Sequence, residues 1–340
     1  MPNRRLIVPH AGGADVLRVE TAAETMPESG QVIVDVRAAG LNFADVLARQ
    51  GLYPDAPEFP ACLGYEFSGV VSRVGKGVDA SWHGREVLGL SRFNAQAEQV
   101  CVPLEHVFPK PGSMSFETAA ALPVNYLTAW QLLVIMGALQ PEDTVLIHNV
   151  GGGVGLAALD VAKHIGARTL GTASPGKHDF LRERGLDHPI DYRQGDWEEE
   201  VAKLTQRKGV ELIIDPIGGS HLKRSYRALR STGRLGMFGV SAASESGLMG
   251  KFRLAGVALG MPIFHPVGLM NGNKGVFGVN LGHLWDEVEK LQCWLQKLLE
   301  GYADGWVRPH VDAVFSFDEA ADAHRHLEER KNIGKVVLVP

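Results

Sequence analysis

The pattern of apolar and polar positions changes texture twice along the chain. Up to about residue 110 the apolar residues come in short runs, "RRLIV", "QVIVDVRAAG", "FSGVVSRVG", "EVLGL" and "AEQVCVP", punctuated by glycine and proline. Such runs predict a compact, mostly β region. From about 113 the spacing becomes helical, with Ser115 as an N-cap and Pro123 as an interruption. From 144 strand and helix alternate: "TVLIHNV", "GLAALDVAKHIGA", "RTLGTA", "KHDFLRERG", "HPIDY", "WEEEVAKLTQRKG", "VELIIDPIGG", "HLKRSYRALRSTG" and "RLGMFGV". Near-continuous apolar strands in this alternation predict an α/β fold with a parallel sheet covered on both faces. Residues 247–282 are glycine-rich and give no clear element. Beyond them Leu284, Val288, Leu291, Leu295 and Leu298 lie at helical spacing. Strand "VDAVF", a capping box from Ser316 to Glu319, helix "EAADAHRHLEERK" and strand "GKVVLVP" close the chain. That late return to β structure suggests that the last strand rejoins the first domain.

Length and composition narrow the picture. A chain of 340 residues exceeds one ordinary core, so two domains are expected. The charge balance of 34 basic against 39 acidic residues, with no basic block, argues against nucleic acid or an anionic membrane as partner. Three scattered cysteines suit a reducing compartment rather than a disulfide framework. No signal-peptide core or membrane-spanning run is present, so a cytoplasmic protein is expected.

The candidate chemistry begins at "HNVGGGVGLAALD", residues 148–160, where a glycine turn joins a strand to a helix. Such a turn brings backbone close to a pyrophosphate and aims free helix N–H groups at its charge. The strict G-x-G-x-x-G spacing fails, because Val150 stands where the first glycine belongs. At the end of the second strand, Ser174 stands where an NAD site places a carboxylate, and Lys177 follows. A hydroxyl and a cation suit a 2′-phosphate and favour NADPH; the alternative is that Lys177 is a solvated first-turn lysine.

Further stretches carry a resemblance. "AAGLNFADVLARQGLYP" resembles the N-F-x-D-x-x-x-R-x-G-x-Y motif of the zinc-independent medium-chain dehydrogenase/reductases, in their quinone oxidoreductase (zeta-crystallin-like) group. "GGADVLRVE", "LGYEFSGVVSRVGKGV" and "NYLTAWQLL" resemble other blocks of that family. "GTASPGKHDFLRERGLDHPIDYR", "IIDPIGG" and "KNIGKVVLVP" resemble most its vesicle amine transport protein-like branch. The resemblance implies a mostly β GroES-like catalytic domain, residues 1–124 and 266–340, around a doubly wound Rossmann domain, residues 125–265. A non-glycine at position 150 is then a trait of that branch.

Zinc-dependent relatives hold their metal through a cysteine and a histidine where this chain has Asn42 and Tyr65, poor substitutes as zinc ligands. No metal site is therefore expected, and His148 reads as a core residue. The implied chemistry is hydride transfer from NADPH to a quinone or an α,β-unsaturated carbonyl compound, in a homodimer for which "KGVFGVNLG" supplies an edge strand. The opposing reading is a cofactor-binding protein without turnover, crystallin-like or vesicle-associated. Asn42 and Tyr53 are the implied catalytic residues, with Tyr53 either a hydrogen-bond donor or a wall of the cleft. Asn42, Thr128, Gly152, Gly153, Val154, Ser174, Lys177, Tyr192, Phe238, Ser241 and Asn332 are implied at the cofactor. Asp45 and Arg49, four apart on a helix, are expected to form a structural ion pair.

Overall fold

The computed structural model describes residues 3–243 and 247–340. Six parallel strands form the central sheet: β1 (Thr144–Ile147), β2 (Arg168–Ala173), β3 (His188–Asp191), β4 (Val210–Asp215), β5 (Leu229–Met237) and β6 (Gly275–Gly278). Their order across the sheet is β3-β2-β1-β4-β5-β6, which is the doubly wound arrangement with its switch point between β1 and β4. Leu146, Leu170, Ile213 and Leu235 are buried on one face; Val145, Ile147, Leu212 and Ile214 are buried on the other. Burial on both faces explains why these strands read as unbroken apolar runs.

Two boundaries differ from expectation. The sheet runs on to β6, beyond the expected domain limit at 265, because β6 pairs in parallel with residues 234–237 of β5. The "LRSTG" residues belong to β5 rather than to the preceding helix, which ends at Ala228. The glycine-rich stretch before β6 holds helices Gly247–Gly260 and Pro266–Gly272.

Helix α1 (Gly153–Ile165) follows the glycine turn. Leu156, Ala157, Leu159 and Val161 bury its apolar stripe, and Gly166 ends it in the left-handed conformation at φ 95°. The expected helical stretch from Ser115 is broken at Pro123, as its ring requires, into Phe116–Ala120 and Pro123–Trp130.

The second domain is mostly β. Strand Gln31–Leu41 is its spine: residues 31–35 pair with Gln99–Pro103, and residues 39–41 pair with Lys335–Val339. Its other neighbour is Glu66–Val74, and Val32, Val34, Phe67, Val71, Val87 and Val100 fill the interior between these strands. The late strand thus rejoins the first domain. Gly334, just before it, also bridges in parallel to Gly152 of the glycine turn. This one strand therefore ties the mostly β domain to the turn. Among the described residues no helix is long and apolar enough to cross a membrane.

Candidate active site

The glycine turn is built by exclusion. A Cβ on Gly155 would lie inside van der Waals contact of the Asn149 carbonyl oxygen and 2.7 Å from the Val150 Cα. A Cβ on Gly153 would come within 2.6 Å of the Asn125 side-chain amide. Helix α1 starts at N-cap Gly152 with no side chain on its first N–H groups, leaving them available to an anion. Val150, the missing glycine, is fully buried, and the space it fills is opened by Gly171 on β2, where a Cβ would meet Val150 Cγ1 at 2.7 Å. The small residue has moved to the neighbouring strand. The residues here fit a dinucleotide pyrophosphate.

From the turn a continuous set of contacts leads to Asn42 and Glu66. Gly334 N donates to Gly151 O (2.9 Å). The next residue, Lys335, donates through Nζ to Asn42 Oδ1 (2.6 Å) and pairs with the Glu66 carboxylate. Asn42 Nδ2 donates to Glu66 Oε1 (3.2 Å), and Val124 N donates to Glu66 Oε2 (2.8 Å). Asn42 itself precedes helix Phe43–Arg49, and its N–H donates to Asp45 Oδ2 (2.8 Å). Asp45 Oδ1 accepts from Gly64 N (3.1 Å), beside Tyr65. Burial pushes the Asp45 carboxyl up to about 7, against the opposing hydrogen bond from Asn42 and the charge of Lys335. Asp45 is thus spent on the backbone, and the expected Asp45–Arg49 pair does not form. Arg49 reaches instead to Glu328, because helix 43–49 packs on helix Ala320–Glu328.

Tyr53 and Tyr65 meet edge to face with centroids 6.5 Å apart, and Tyr65 packs against Phe93. Burial holds the Tyr53 phenol above its usual range, against the influence of the neighbouring Tyr65 and Asn280 side chains. Burial likewise raises Tyr65.

The remaining expected cofactor residues fall in two groups. Near the turn, Thr128 lies on helix Pro123–Trp130, one turn beyond Asn125, and Val154 is in the first turn of α1. Asn332 is buried and donates to Gly334 O (2.7 Å), shaping the loop that meets the turn. At the sheet's C-terminal edge, Phe238 N donates to Asp215 O (3.2 Å) and Ser241 N to Pro216 O (2.9 Å), so both follow β5 beside the loop after β4. Ser174 ends β2, and Tyr192 follows β3 with the Arg193 guanidinium over its ring at 5.8 Å.

Lys177 is not a solvated lysine. Its ammonium donates to the carbonyls of Arg330 (2.9 Å) and Asn332, and its stem lies along Gly151. Burial lowers its pKa, Asp312 opposes, and Arg193 and Arg330 add to the lowering. Arg193, Arg330, Asn125, Glu66 and Lys335 all escaped the sequence reading. The arginine after Tyr192 was a visible signal; the others depend on distant contacts.

His148 is fully buried, as a core residue. With Asp215 and His221 it brings metal-ligating atoms within 4.8 Å of one another. Those atoms are already engaged: His148 Nδ1 with Thr172 Oγ1 (3.1 Å), and Asp215 Oδ2 with His221 Nδ1 (2.7 Å) and Ser225 Oγ (2.7 Å). Burial pushes Asp215 up, but the hydrogen bond from His221 and the nearby imidazoles outweigh it and bring the carboxyl to about 2. The network pins the loop after β4 to the end of β1. At the position of the zinc ligands, the amide of Asn42, the phenol of Tyr65 and the ammonium of Lys335 do not make a zinc donor set.

Comparison with known proteins agrees with this architecture. Residues 28–128 match the model of the alcohol dehydrogenase GroES-like domain, and residues 184–338 match that of a zinc-binding dehydrogenase domain. The human synaptic vesicle membrane protein VAT-1 homolog is 39% identical over 340 residues, covering 99% of this chain and 86% of its own. A quinone oxidoreductase of Pseudomonas syringae superposes with a TM-score of 0.87 at 28% identity over the whole of both chains. A mycobacterial protein solved in complex with NADPH superposes at 0.86 with 29% identity, covering 99% of this chain and 100% of its own. The chain belongs to the medium-chain dehydrogenase/reductase family of oxidoreductases, in its quinone oxidoreductase group. Within that group it falls in the VAT-1-like branch, and its Rossmann domain is of the kind that binds a nicotinamide cofactor.

Proposed function

We propose that the protein is a zinc-independent, NADPH-dependent reductase that delivers a hydride to a quinone or an α,β-unsaturated carbonyl compound. The observation that carries this reading is the Tyr53 hydroxyl. It stands edge to face with Tyr65, and burial holds it above its usual range, so the phenol keeps a proton to donate. Hydride addition to a conjugated carbonyl develops negative charge on oxygen, and a pre-aimed donor stabilises that charge. Asn42, held at the same cleft, supplies a second N–H. NADPH bound along the glycine turn would supply the hydride. Arg193 and Arg330 gather positive charge around Lys177, whose backbone N–H donates to Ser174 O (3.0 Å), a corner suited to a 2′-phosphate. Tyr192 borders it, and Gly152, Gly153 and Val154 would meet the pyrophosphate.

We assign the protein to the cytoplasm as a homodimer. The outer edge of β6 pairs with nothing among the described residues. Phe252, Leu259, Ile263, Val267 and Met270 leave apolar surface exposed on the preceding segment. Light scattering coupled to size exclusion should give twice the chain mass; a monomer would remove this part of the proposal.

The test of activity is NADPH consumption with ortho- and para-quinones and with 2-alkenals. Turnover is expected with at least one class. Micromolar NADPH binding without turnover would instead support the second reading, a non-catalytic cofactor-binding protein, which the vesicle-associated name of the VAT-1 relatives favours. Elemental analysis should find no stoichiometric zinc. Lys177→Ala should weaken NADPH more than NADH, and equal losses would refute the phosphate corner.

A further inference from the structure

Hydride transfer as proposed uses neither Lys335 nor Glu66, yet both are buried against Asn42, which that proposal places in the cleft. Side-chain exposure is 3% for Lys335 and 0% for Glu66. A buried ion pair returns little net stability, because desolvation offsets its attraction. Its geometry, however, leaves Asn42 one orientation.

An asparagine amide offers one oxygen and two N–H groups. Here the oxygen accepts from the Lys335 ammonium at 2.6 Å, and Nδ2 donates one N–H to Glu66 Oε1 at 3.2 Å. Flipping the amide would set NH2 against the ammonium and carbonyl oxygen against the carboxylate, so the flipped form is excluded on charge. One N–H remains. An ammonium on the oxygen draws electron density from the nitrogen and makes that remaining N–H a stronger donor.

Both charges are themselves fixed. Val124 N holds Glu66 Oε2, and Gly40 lacks the Cβ that would come within 2.7 Å of Glu66 Cγ. Lys335 follows Gly334, which is hydrogen-bonded to Gly151 in the cofactor turn.

We infer that Lys335 is a positioning residue: its ammonium, paired with Glu66, locks the Asn42 amide so that one N–H points into the cleft as a donor to a carbonyl oxygen. A cation of the chain's own thereby organises the position where zinc-dependent relatives place their metal. The carbonyl belongs either to the reducible substrate or to the nicotinamide carboxamide. The inference rests on the reductase reading for its kinetic consequence alone.

The test compares Lys335→Met, Lys335→Arg and the double variant Lys335→Met/Glu66→Gln, which leaves no unpaired buried charge if the single variant does not fold. The side-chain amide resonances of Asn42, identified by their loss in Asn42→Asp, should be two well-separated protons in the parent and should move together in Lys335→Met and in the double variant. Turnover of a quinone should fall about 100-fold in both, the usual cost of a lost oxyanion donor. Lys335→Arg, which keeps the charge, should recover most of it. An NADPH Kd unchanged in these variants assigns the N–H to the substrate carbonyl; a weakened Kd assigns it to the carboxamide. Unmoved Asn42 resonances, or a double variant with parental kcat, would overturn the inference. If the parent reduces no acceptor, the reductase reading fails while the resonances still decide the role of Lys335.

Discussion

Lowering the pH from 7 to 5 should weaken the fold through His148. The imidazole is 1% exposed, between Trp197 (ring centroids 4.7 Å apart) and His221 (4.6 Å). Its pKa is held down at about 3, chiefly because burial denies the cation its hydration; the Asp215 carboxylate opposes this, while His221 and Arg224 add to it. Between that value and the ordinary 6.5 the unfolded chain binds a proton that the native protein refuses. Stability from this group is therefore complete above 6.5 and is lost as pH falls toward 3. At ~1.4 kcal/mol per pH unit, the ~1.5 units between 6.5 and 5 correspond to about 2 kcal/mol. His148→Gln removes the titration but keeps a polar side chain. Urea unfolding at the two pH values should show the parent losing about 2 kcal/mol more than the variant. Trp197 fluorescence, beside the imidazole, is the local probe. Histidines outside this network contribute equally to both proteins, so the difference isolates His148 together with the Asp215 and His221 side chains it acts on. Equal losses in the two would show that the native imidazole accepts the proton and would refute the reasoning.

Three further outcomes follow from the site. Gly155→Ala drives a Cβ into the Asn149 carbonyl, which backbone cannot yield without opening the turn. It should cost about 1–3 kcal/mol in thermal unfolding and abolish NADPH binding by fluorescence titration. Asp160→Ala removes the buried carboxylate that Tyr126 (2.6 Å), Arg184 (2.7 Å) and Arg308 (3.0 Å) share, and should destabilise by about 3–5 kcal/mol in denaturant titration. Tyr53→Phe keeps the ring and removes the proton: a fall in kcat of about 100-fold marks a donor, and an unchanged kcat marks a wall.

Much of the architecture was legible in sequence because parallel strands buried on both faces must be apolar throughout. "TVLI" and "VELIID" announce themselves in this way, and Ser115 and Pro123 mark a helix start and break by local chemistry alone. What was hidden depends on partners far along the chain. Val150 looked like a defect in the glycine fingerprint until Gly171, on the adjacent strand, was seen to make room for it. Lys335 and Glu66 are 269 residues apart, and nothing in either neighbourhood marks them as partners. The pair expected from i,i+4 spacing failed for a related reason. Asp45 had a nearer use, on the N–H groups of Asn42 and Gly64, and Arg49 found Glu328 on another helix. Strand β6 was legible in "KGVFGVNLG" as an edge strand, whereas its partner was not: the pairing with β5 joins segments about 40 residues apart across two helices.

The bridge from Gly334 to the glycine turn bears on how the molecule is made. Asn42 and Lys335, joined by a 2.6 Å hydrogen bond, are separated by 293 residues. During synthesis the Rossmann sheet can close as soon as β6 emerges, since its strands are near neighbours in sequence. The early β domain, by contrast, waits with residues 39–41 of its spine strand unpaired on one side and a buried carboxylate lacking its counter-ion. Strand Lys335–Val339, translated long after them, fills both gaps at once. A ribosome-bound chain therefore passes through a stage with a completed Rossmann sheet and an incomplete β domain. A chain halted before Lys335 should remain in that state, binding weakly and exposing a sheet edge open to aggregation.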